Sequence, residues 1–288
     1  MRTIKRTWKS EKVNMGGIIL DQPLPTRSTE QIDPFLLVHH WNDTLSGGKT
    51  QKDSGVGPHP HRGFTPVTFI FQGGVHHRDS RGGDSIINAG GTQWMNAGRG
   101  IVHSERPRKD LAEEGGNFEL IQFWVNAPAS QKMIEPSYQP LTKEDTPWLE
   151  APDGLSKVGL VAGELEGQKG KVLSSSPMTI LRIELQKGAK RDLRLPKNFN
   201  TFIYQLDGSL KVNGKETKSK DLILFDNDDE LISLEASADT RAILLSGEPL
   251  NEPLATYGPF VMNNQTQVME AIRDYQMGKM GVLIEEFE

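Results

Sequence analysis

Short apolar segments, separated by turns that contain glycine, recur along the whole chain. Their length and their content of β-branched and aromatic residues are typical of strands in an antiparallel protein. Several are separated by dipeptides that readily adopt the positive φ angles of tight turns, such as Gly73-Gly74 and Asn213-Gly214. The clearest predicted strands lie at 67–71, 118–125, 179–185, 201–206, 221–225 and 241–245. The pattern therefore predicts an all-β fold.

One segment near the end of the sequence has the period of a helix instead. Asn264 is a suitable N-cap, and Gln267 follows it at the spacing of a capping box. Gly278 stands where such a helix would end. Apolar residues recur between them at helical spacing: Val268, Ile272 and Tyr275. We predict a helix that packs on the β structure, and the absence of a basic opposite face argues against a membrane-surface role.

A weak internal repeat appears when the sequence is shifted by 135 residues. The shift lays Phe64 over Phe199 and Gly73 over Gly208, and aromatic or apolar residues match at two positions between them. A length of 288 residues also suits two domains. We predict two tandem jelly-roll barrels, with residues 1–135 forming the first domain and residues 136–288 the second, which ends in the helix. The polar stretch at 130–150 is interpreted as their connection.

Composition narrows the possible functions. A formal net charge of -5 leaves no excess of Lys and Arg for a phosphate backbone, so direct nucleic-acid binding is not expected. The absence of cysteine excludes disulfides and thiol catalysis. No signal peptide follows the basic N-terminus, and no apolar run reaches the roughly 18 residues of a membrane span. We expect a cytoplasmic protein, monomeric because two barrels can cover one another.

All seven histidines lie between residues 39 and 103, which places any imidazole chemistry in the first domain. His59 and His61 are two residues apart, so on extended backbone both side chains point to one face. His103 and Glu105 repeat this spacing. If the two segments face each other inside a small barrel, three imidazoles and one carboxylate converge. Such a set suits a divalent transition metal, whether iron, manganese, nickel, cobalt, copper or zinc.

The other histidines are interpreted differently because they occur as neighbours. His76 and His77 point to opposite faces of a strand, so only one of them looks inward. We expect that one to be a pocket or surface residue, and we expect loss of His77 to leave metal content nearly unchanged. For His39 and His40 the same argument predicts positions outside the ligand set, near the site or at the surface.

The order His-x-His, about forty residues, then Gly-x-Gly-x-x-His resembles the two metal motifs of the cupin superfamily. Longer blocks, in order along the sequence, resemble the pirin family within it. They are Asp-Pro-Phe-Leu-Leu at 33–37, His-Pro-His-Arg-Gly-Phe at 59–64, Gln-Trp-Met-x-Ala-Gly-Arg-Gly-Ile-x-His-x-Glu at 93–105, Leu-Ile-Gln-Phe-Trp-Val-Asn at 120–126 and Gly-Pro-Phe-Val-Met-Asn at 258–263. The resemblance therefore covers nearly the whole chain.

This resemblance implies a bicupin whose N-terminal cupin domain binds iron(II) through His59, His61, His103 and Glu105. The second cupin domain keeps the fold without the ligands, because the 135-residue shift lays His59 and His61 over Arg194 and Pro196. The sequence departs from related patterns at two places. Many cupins carry a glutamate where this chain has Thr65-Pro66, so Glu105 must supply the carboxylate. Pirins commonly have acidic residues where this chain has His39-His40.

The resemblance also implies an activity, that of a quercetin 2,3-dioxygenase, with a flavonol-like aromatic and dioxygen as its small-molecule partners. In that reaction Glu105 is the expected catalytic base. Arg62 is expected either to steady an anionic substrate or to form an ion pair. Three further side chains are candidates for an apolar wall against a flat substrate: Phe64, Trp94 and Met95.

Two other functions stay open at this point. A non-enzymatic protein that senses redox state and binds a protein partner would use the same metal site. A zinc isomerase of the sugar-phosphate kind is the weaker alternative, because the sequence shows no cluster of Lys or Arg near the ligands for a phosphate group.

Overall fold

The computed structural model describes residues 1–287, and it consists mainly of antiparallel strands. In chain order the strands are β1 (Ile4–Lys9), β2 (Glu11–Met15), β3 (Ile18–Leu24), β4 (Phe35–Leu45), β5 (Val56–His61), β6 (Phe64–Gln72), β7 (Gly74–Asp79), β8 (Asp84–Asn88), β9 (Thr92–Asn96), β10 (Ile101–Pro107), β11 (Gly116–Asn126), β12 (Ser137–Leu141), β13 (Trp148–Glu150), β14 (Ser156–Ala162), β15 (Glu164–Leu165), β16 (Gln168–Lys169), β17 (Met178–Leu185), β18 (Lys190–Arg194), β19 (Asn200–Gln205), β20 (Ser209–Val212), β21 (Lys215–Lys218), β22 (Asp221–Phe225), β23 (Leu231–Ala236), β24 (Thr240–Gly247), β25 (Ala255–Tyr257) and β26 (Phe260–Met262). The helices are α1 (Lys109–Glu114) and α2 (Gln265–Gln276), with 3-10 turns at Gln51–Asp53 and Ala129–Gln131. The predicted all-β fold with a C-terminal helix is confirmed.

The six segments predicted as strands lie in β6, β11, β17, β19, β22 and β24. These strands are buried along most of their length, which explains why their apolar patterns are the clearest in the sequence. The Asn213-Gly214 turn has φ angles of 48° and 79°, as the turn type requires. Among the described residues, no helix has both the length and the apolar character needed to cross a membrane.

The predicted helix is present as α2. The Asn264 side chain accepts a hydrogen bond from the backbone N–H of Gln267 at 3.0 Å, so the predicted N-cap is confirmed. Val268 and Ala271 are its buried residues, and Ile272 is partly buried beside them. Tyr275, predicted to share the buried stripe, is 39% exposed because the packed face is narrower than the stripe.

The chain divides into two compact units, and each contains one of its ends. One unit comprises residues 1–36 and 144–250, and the other comprises residues 37–143 and those from Asn251 onward. The predicted boundary after residue 135 lies near the observed boundary after residue 143. The prediction is wrong for the two ends of the chain, because residues 1–36 and those from Asn251 onward each belong to the opposite unit. The cause is pairing between residues distant in sequence: β1 pairs with β22, and Phe260 and Met280 pack against Val102.

The unit that contains residues 144–250 has an apolar interior. Its strands form a large sheet in the order β1-β22-β19-β24-β17-β14-β13 and a smaller one in the order β18-β23-β20-β21. Arg2 anchors the N-terminus here, since its buried Nη1 donates to the carbonyl of Phe199 and to Thr201 Oγ1. The one group of candidate metal-ligand side chains among the described residues lies in the other unit. Its core includes Val158, Leu181, Ile203, Leu234 and Leu244.

The unit that contains residues 37–143 carries all seven histidines. Within it β12-β9-β6-β11-β4 lie side by side, and a second sheet has the order β5-β10-β7-β8. The buried ammonium of Lys132 joins three of its segments, donating to the carbonyls of Gly63 and Val261 and to Asn126 Oδ1 at 2.6 to 3.0 Å. Burial lowers the pKa of Lys132 to about 8, which leaves it protonated at pH 7.

Candidate metal centre

The two histidine-bearing segments are adjacent antiparallel strands. On β5 and β10, His59 lies opposite His103 and His61 lies opposite Ile101. The chain turns sharply just after β5 at Gly63, where φ is +85° and a Cβ atom would lie 2.0 Å from the Val261 carbonyl oxygen. The prediction that the two His-containing segments face one another is therefore confirmed.

Three imidazoles converge between these strands. The candidate ligand atoms of His59, His61 and His103 lie within 4.8 Å of one another. Their ring centroids are 4.3 to 4.9 Å apart. Neither nitrogen of His61 has a hydrogen-bond partner of normal geometry, and the same is true of His103 Nε2. Buried nitrogen atoms left unpaired in this way are destabilising, and a bound cation would satisfy them.

Electrostatics keeps His61 and His103 in the neutral form that binds metals. Burial, followed by the charge of the neighbouring His59, lowers the pKa of His61 well below its usual value. Burial, then His59, His61 and His77, lowers the pKa of His103 in the same way. His59 meets the Gly57 carbonyl oxygen at 2.8 Å through Nδ1. Because a carbonyl only accepts, that nitrogen carries the hydrogen and Nε2 keeps its lone pair.

Glu105 lies on β10, as His103 does, but it is not part of the cluster of three histidines. Its Oε1 accepts from Thr68 Oγ1 at 2.9 Å, and its Oε2 accepts from Gln122 Nε2 at 2.7 Å. Trp124 Nε1 donates to Gln122 Oε1 at 3.2 Å, and since an indole only donates, this contact fixes which end of the amide faces Glu105. The structure thus brings three predicted ligands together and holds the fourth, the Glu105 carboxylate, by hydrogen bonds.

Sequence reasoning missed Thr68 and Gln122. They are cross-strand partners on β6 and β11, so the contact that they share with Glu105 arises from strand pairing. The available signal was a single polar residue within the apolar run 67–71, where burial of Thr68 demands a hydrogen-bond partner.

His77 lies nearer the centre than the sequence predicts. Its ring is buried, its Nδ1 is 3.4 Å from His103 Nδ1, and its Nε2 is 2.9 Å from Asp79 Oδ2. The Tyr138 ring stacks on it with centroids 4.0 Å apart. His76 points away and bonds to Asp84 at 2.6 Å, so the predicted opposition of the two neighbours is confirmed. His77 is not a neutral control, because it contacts a candidate ligand.

Arg62 follows a candidate ligand and turns away from it. Its Nε donates to the Arg99 carbonyl at 2.6 Å, and both terminal nitrogens lie 3.1 Å from Asp274 Oδ2. Of the two expected roles, the structure contains the ion pair.

The predicted apolar wall is buried throughout. Phe64 contacts the His61 ring, with centroids 5.0 Å apart, and the Trp124 ring at 4.3 Å. Trp94 and Met95 lie on β9 at 1% and 2% exposure. Phe64 therefore touches the ligand set directly, whereas a role of Trp94 and Met95 in a substrate wall stays a prediction.

The pair at 39 and 40 separates into two environments. His40 is buried and pairs with Glu119 at 3.1 Å, while Glu119 also accepts from Asn42 and Gln72. His39 is partly buried, and that burial lowers its pKa to about 4. Burial of His40 with an acidic partner places it in the interior, away from the surface position that the sequence left open for it.

The pKa of His39 predicts acid sensitivity. An unfolded histidine takes up a proton near pH 6.5, whereas folded His39 resists protonation until about pH 4. Stability from this group is therefore complete above pH 6.5 and falls by about 3 kcal/mol as the pH drops to 4. Chemical denaturation at several pH values should show a shallower pH dependence for His39→Gln than for the unmodified chain. Equal slopes would contradict this assignment.

Comparisons with known proteins agree with this geometry. Residues 18–125 match the family Pirin, and residues 180–281 match the Pirin C-terminal cupin domain. A Pseudomonas aeruginosa protein provisionally named a quercetin 2,3-dioxygenase is 38% identical over 250 residues, covering 87% of each chain. Human pirin is 35% identical, over 88% of this chain and 84% of its own. The crystal structure of quercetin 2,3-dioxygenase from Acinetobacter baumannii superimposes with a TM-score of 0.92 at 36% identity, over 99% of this chain and 100% of that one. The chain therefore belongs to the pirin family, and its fold is that of two cupin domains.

Proposed function

We propose that this chain holds one divalent transition metal, iron(II), at its histidine cluster and acts as a flavonol dioxygenase of the quercetin 2,3 type. The observation that carries the proposal is the convergence of three imidazoles, two of them buried, whose candidate ligand atoms lie within 4.8 Å of one another. Nitrogen donors of this kind suit iron(II) and its first-row neighbours. Relatives named for quercetin 2,3-dioxygenase activity, at 36% and 38% identity, support the choice of reaction.

Glu105 is proposed as the fourth ligand and as the catalytic base. Both of its oxygens already accept hydrogen bonds, from Thr68 and Gln122, so its hold on a metal would be weaker than that of the imidazoles. A loosely held carboxylate is suited to take the proton of a flavonol 3-hydroxyl group. When bound, the metal supplies a Lewis-acidic centre with open positions for a substrate oxygen and for dioxygen.

The surrounding residues shape what reaches this centre. Phe64 and Trp124 lie against each other with ring centroids 4.3 Å apart, and both rings contact His61. Their apolar surfaces reduce the water around the ligands and favour a flat aromatic substrate. The Trp124 indole also fixes Gln122, so the same side chain shapes the apolar wall and orients the carboxylate.

The test is direct. Iron-loaded protein, with occupancy confirmed by elemental analysis, is mixed with quercetin in air while the flavonol absorbance is followed. Bleaching that His61→Ala abolishes supports the proposal. No bleaching at full iron occupancy removes the catalytic claim, and equal partner affinity in the ferrous and ferric forms would remove the redox-sensing alternative too.

Glu105→Gln separates catalysis from metal binding. The amide cannot take a proton from the substrate, so kcat is expected to fall roughly 10² to 10⁴-fold. Iron is expected to remain, because the three imidazoles do not depend on this side chain. Turnover and iron content are measured on the same preparation, and Glu113→Gln, an exposed position, serves as the control. A fall in iron that matches the fall in turnover would mean that Glu105 acts as a ligand alone.

A further inference from the structure

Two side chains behind His103 form a buried chain of contacts on β7. Asp79 Oδ1 accepts from the backbone N–H groups of Arg81 and Gly83 at 2.7 and 3.0 Å. Asp79 Oδ2 meets His77 Nε2 at 2.9 Å, and the other ring nitrogen of His77 meets His103 Nδ1 at 3.4 Å. The side chains of His77 and Asp79 are 1% and 2% exposed, so water does not compete for these contacts.

The chemistry of the donors gives this chain of contacts one direction. A carboxylate only accepts, so His77 carries its hydrogen on Nε2. A neutral imidazole has one donor and one acceptor nitrogen, so Nδ1 of His77 accepts. The hydrogen between the two rings then belongs to His103 Nδ1. Its remaining nitrogen, Nε2, is left with a lone pair, and this is the buried atom of His103 that has no hydrogen-bond partner.

We propose that Asp79 and His77 select the ring tautomer of His103, and so hold its Nε2 lone pair ready for a metal. Both are positioning residues. Tyr138 supports the arrangement by stacking flat on His77, at an interplanar angle of 4°, while its hydroxyl group meets Ser85 Oγ at 2.9 Å. The idea rests on the proposed metal centre, but the tautomer is a property of the metal-free protein as well.

Asp79→Asn is expected to reverse the donor and acceptor roles in the hydrogen bonds that link residue 79, His77 and His103. The two backbone N–H groups of Arg81 and Gly83 need an acceptor, which keeps the amide oxygen of the new side chain on their side. Its NH₂ group then faces His77 Nε2, which must accept. His77 would carry its hydrogen on Nδ1, facing His103, and His103 would be driven to the Nε2–H tautomer, which has no lone pair at the ligand position.

His77→Phe gives the matched comparison. A phenyl ring keeps the stacking on Tyr138 and removes both nitrogen atoms, so His103 chooses its tautomer freely. Asp79→Asn therefore imposes the wrong tautomer, whereas His77→Phe imposes none. A merely structural role of these residues predicts the opposite order, because His77→Phe changes the buried shape more than Asp79→Asn does.

The experiment has two measurements. Nitrogen-15 NMR of histidine-labelled, metal-free protein reports which His103 nitrogen carries hydrogen, and chelator competition with ferrous ion reports affinity. We expect Nδ1–H in the unmodified chain and Nε2–H in Asp79→Asn, with affinity about 10 to 100-fold lower in that variant and a smaller loss in His77→Phe. Asp84→Asn, which disturbs contacts with His76 and Arg78 but none with His77 or His103, should match the unmodified chain.

Two results would overturn the proposal: an unchanged His103 tautomer in Asp79→Asn, or a larger loss of affinity in His77→Phe than in Asp79→Asn. Failure of the metal centre itself looks different. The unmodified protein would then take up no ferrous ion, while the NMR measurement would still decide the tautomer.

Discussion

His61→Ala is expected to lower the affinity of the protein for ferrous ion by more than about 100-fold, since loss of a group that merely supports a ligand already costs 10 to 100-fold. His61 is buried, its two nitrogens lack normal hydrogen-bond partners, and its ligand atom lies within 4.8 Å of those of His59 and His103. Removing it leaves two imidazoles and the weakly held Glu105 carboxylate, so the metal loses one of its three strong nitrogen donors. Elemental analysis after dialysis against a weak chelator measures the loss.

His76→Ala is the matched control for this experiment. The His76 ring belongs to the same unit. It bonds to Asp84 and Gln51 and is not among the three clustered rings. The iron content of His76→Ala should equal that of the unmodified chain. A ligand at 1,000 times its dissociation constant stabilises a fold by about 4 kcal/mol, so iron should also raise the Tm of this control, and by much more than it raises that of His61→Ala. Equal iron content in both variants would exclude the histidine cluster as the metal site.

Lys132→Met should lower the free energy of unfolding by about 3 to 5 kcal/mol. The methionine side chain fills most of the volume, but it leaves the carbonyls of Gly63 and Val261 and the amide oxygen of Asn126 without the ammonium donors they share. Each buried polar group without a partner costs about 1 to 3 kcal/mol. Urea denaturation monitored by tryptophan fluorescence measures the change.

An exposed lysine gives the comparison for that measurement. Lys49→Met, in the same unit, should change stability by no more than about 0.5 kcal/mol. A loss of less than 1 kcal/mol in Lys132→Met would mean that water reaches the three oxygens once the ammonium is gone. In that case Lys132 would not be the element that joins these segments.

Local pattern predicted much of the fold. Strands such as β6 and β11 are buried along most of their length and rich in apolar residues, and Asn264 caps α2 as its residue type indicates. Local pattern did not predict that residues 1–36 belong to the unit with 144–250, or that the residues from Asn251 onward belong to the other unit. The β1 sequence is that of an ordinary strand, and no feature of it predicts pairing with β22, which follows more than 200 residues later.

The candidate site shows the same division. The two-residue spacing of His59 and His61 fixed their common face, so their convergence with His103 followed once the strands paired. The adjacency of His76 and His77 indicated that one ring points inward, but it did not say that this ring reaches a ligand. The hydrogen bonds from Thr68 and Gln122 to Glu105 could not be predicted from local sequence either, because the three residues lie on three different strands.

Each unit combines segments that are far apart in the sequence, and this has a consequence for synthesis on the ribosome. At about 5 to 20 residues per second, some 10 to 40 seconds separate the emergence of β1 from that of its partner β22. The histidine-bearing unit likewise waits for Phe260 and Met280 before its core around Val102 is complete. Neither unit can finish folding while the nascent polypeptide is half made, so a chaperone that shields the first strand until late in translation would raise the yield of folded protein.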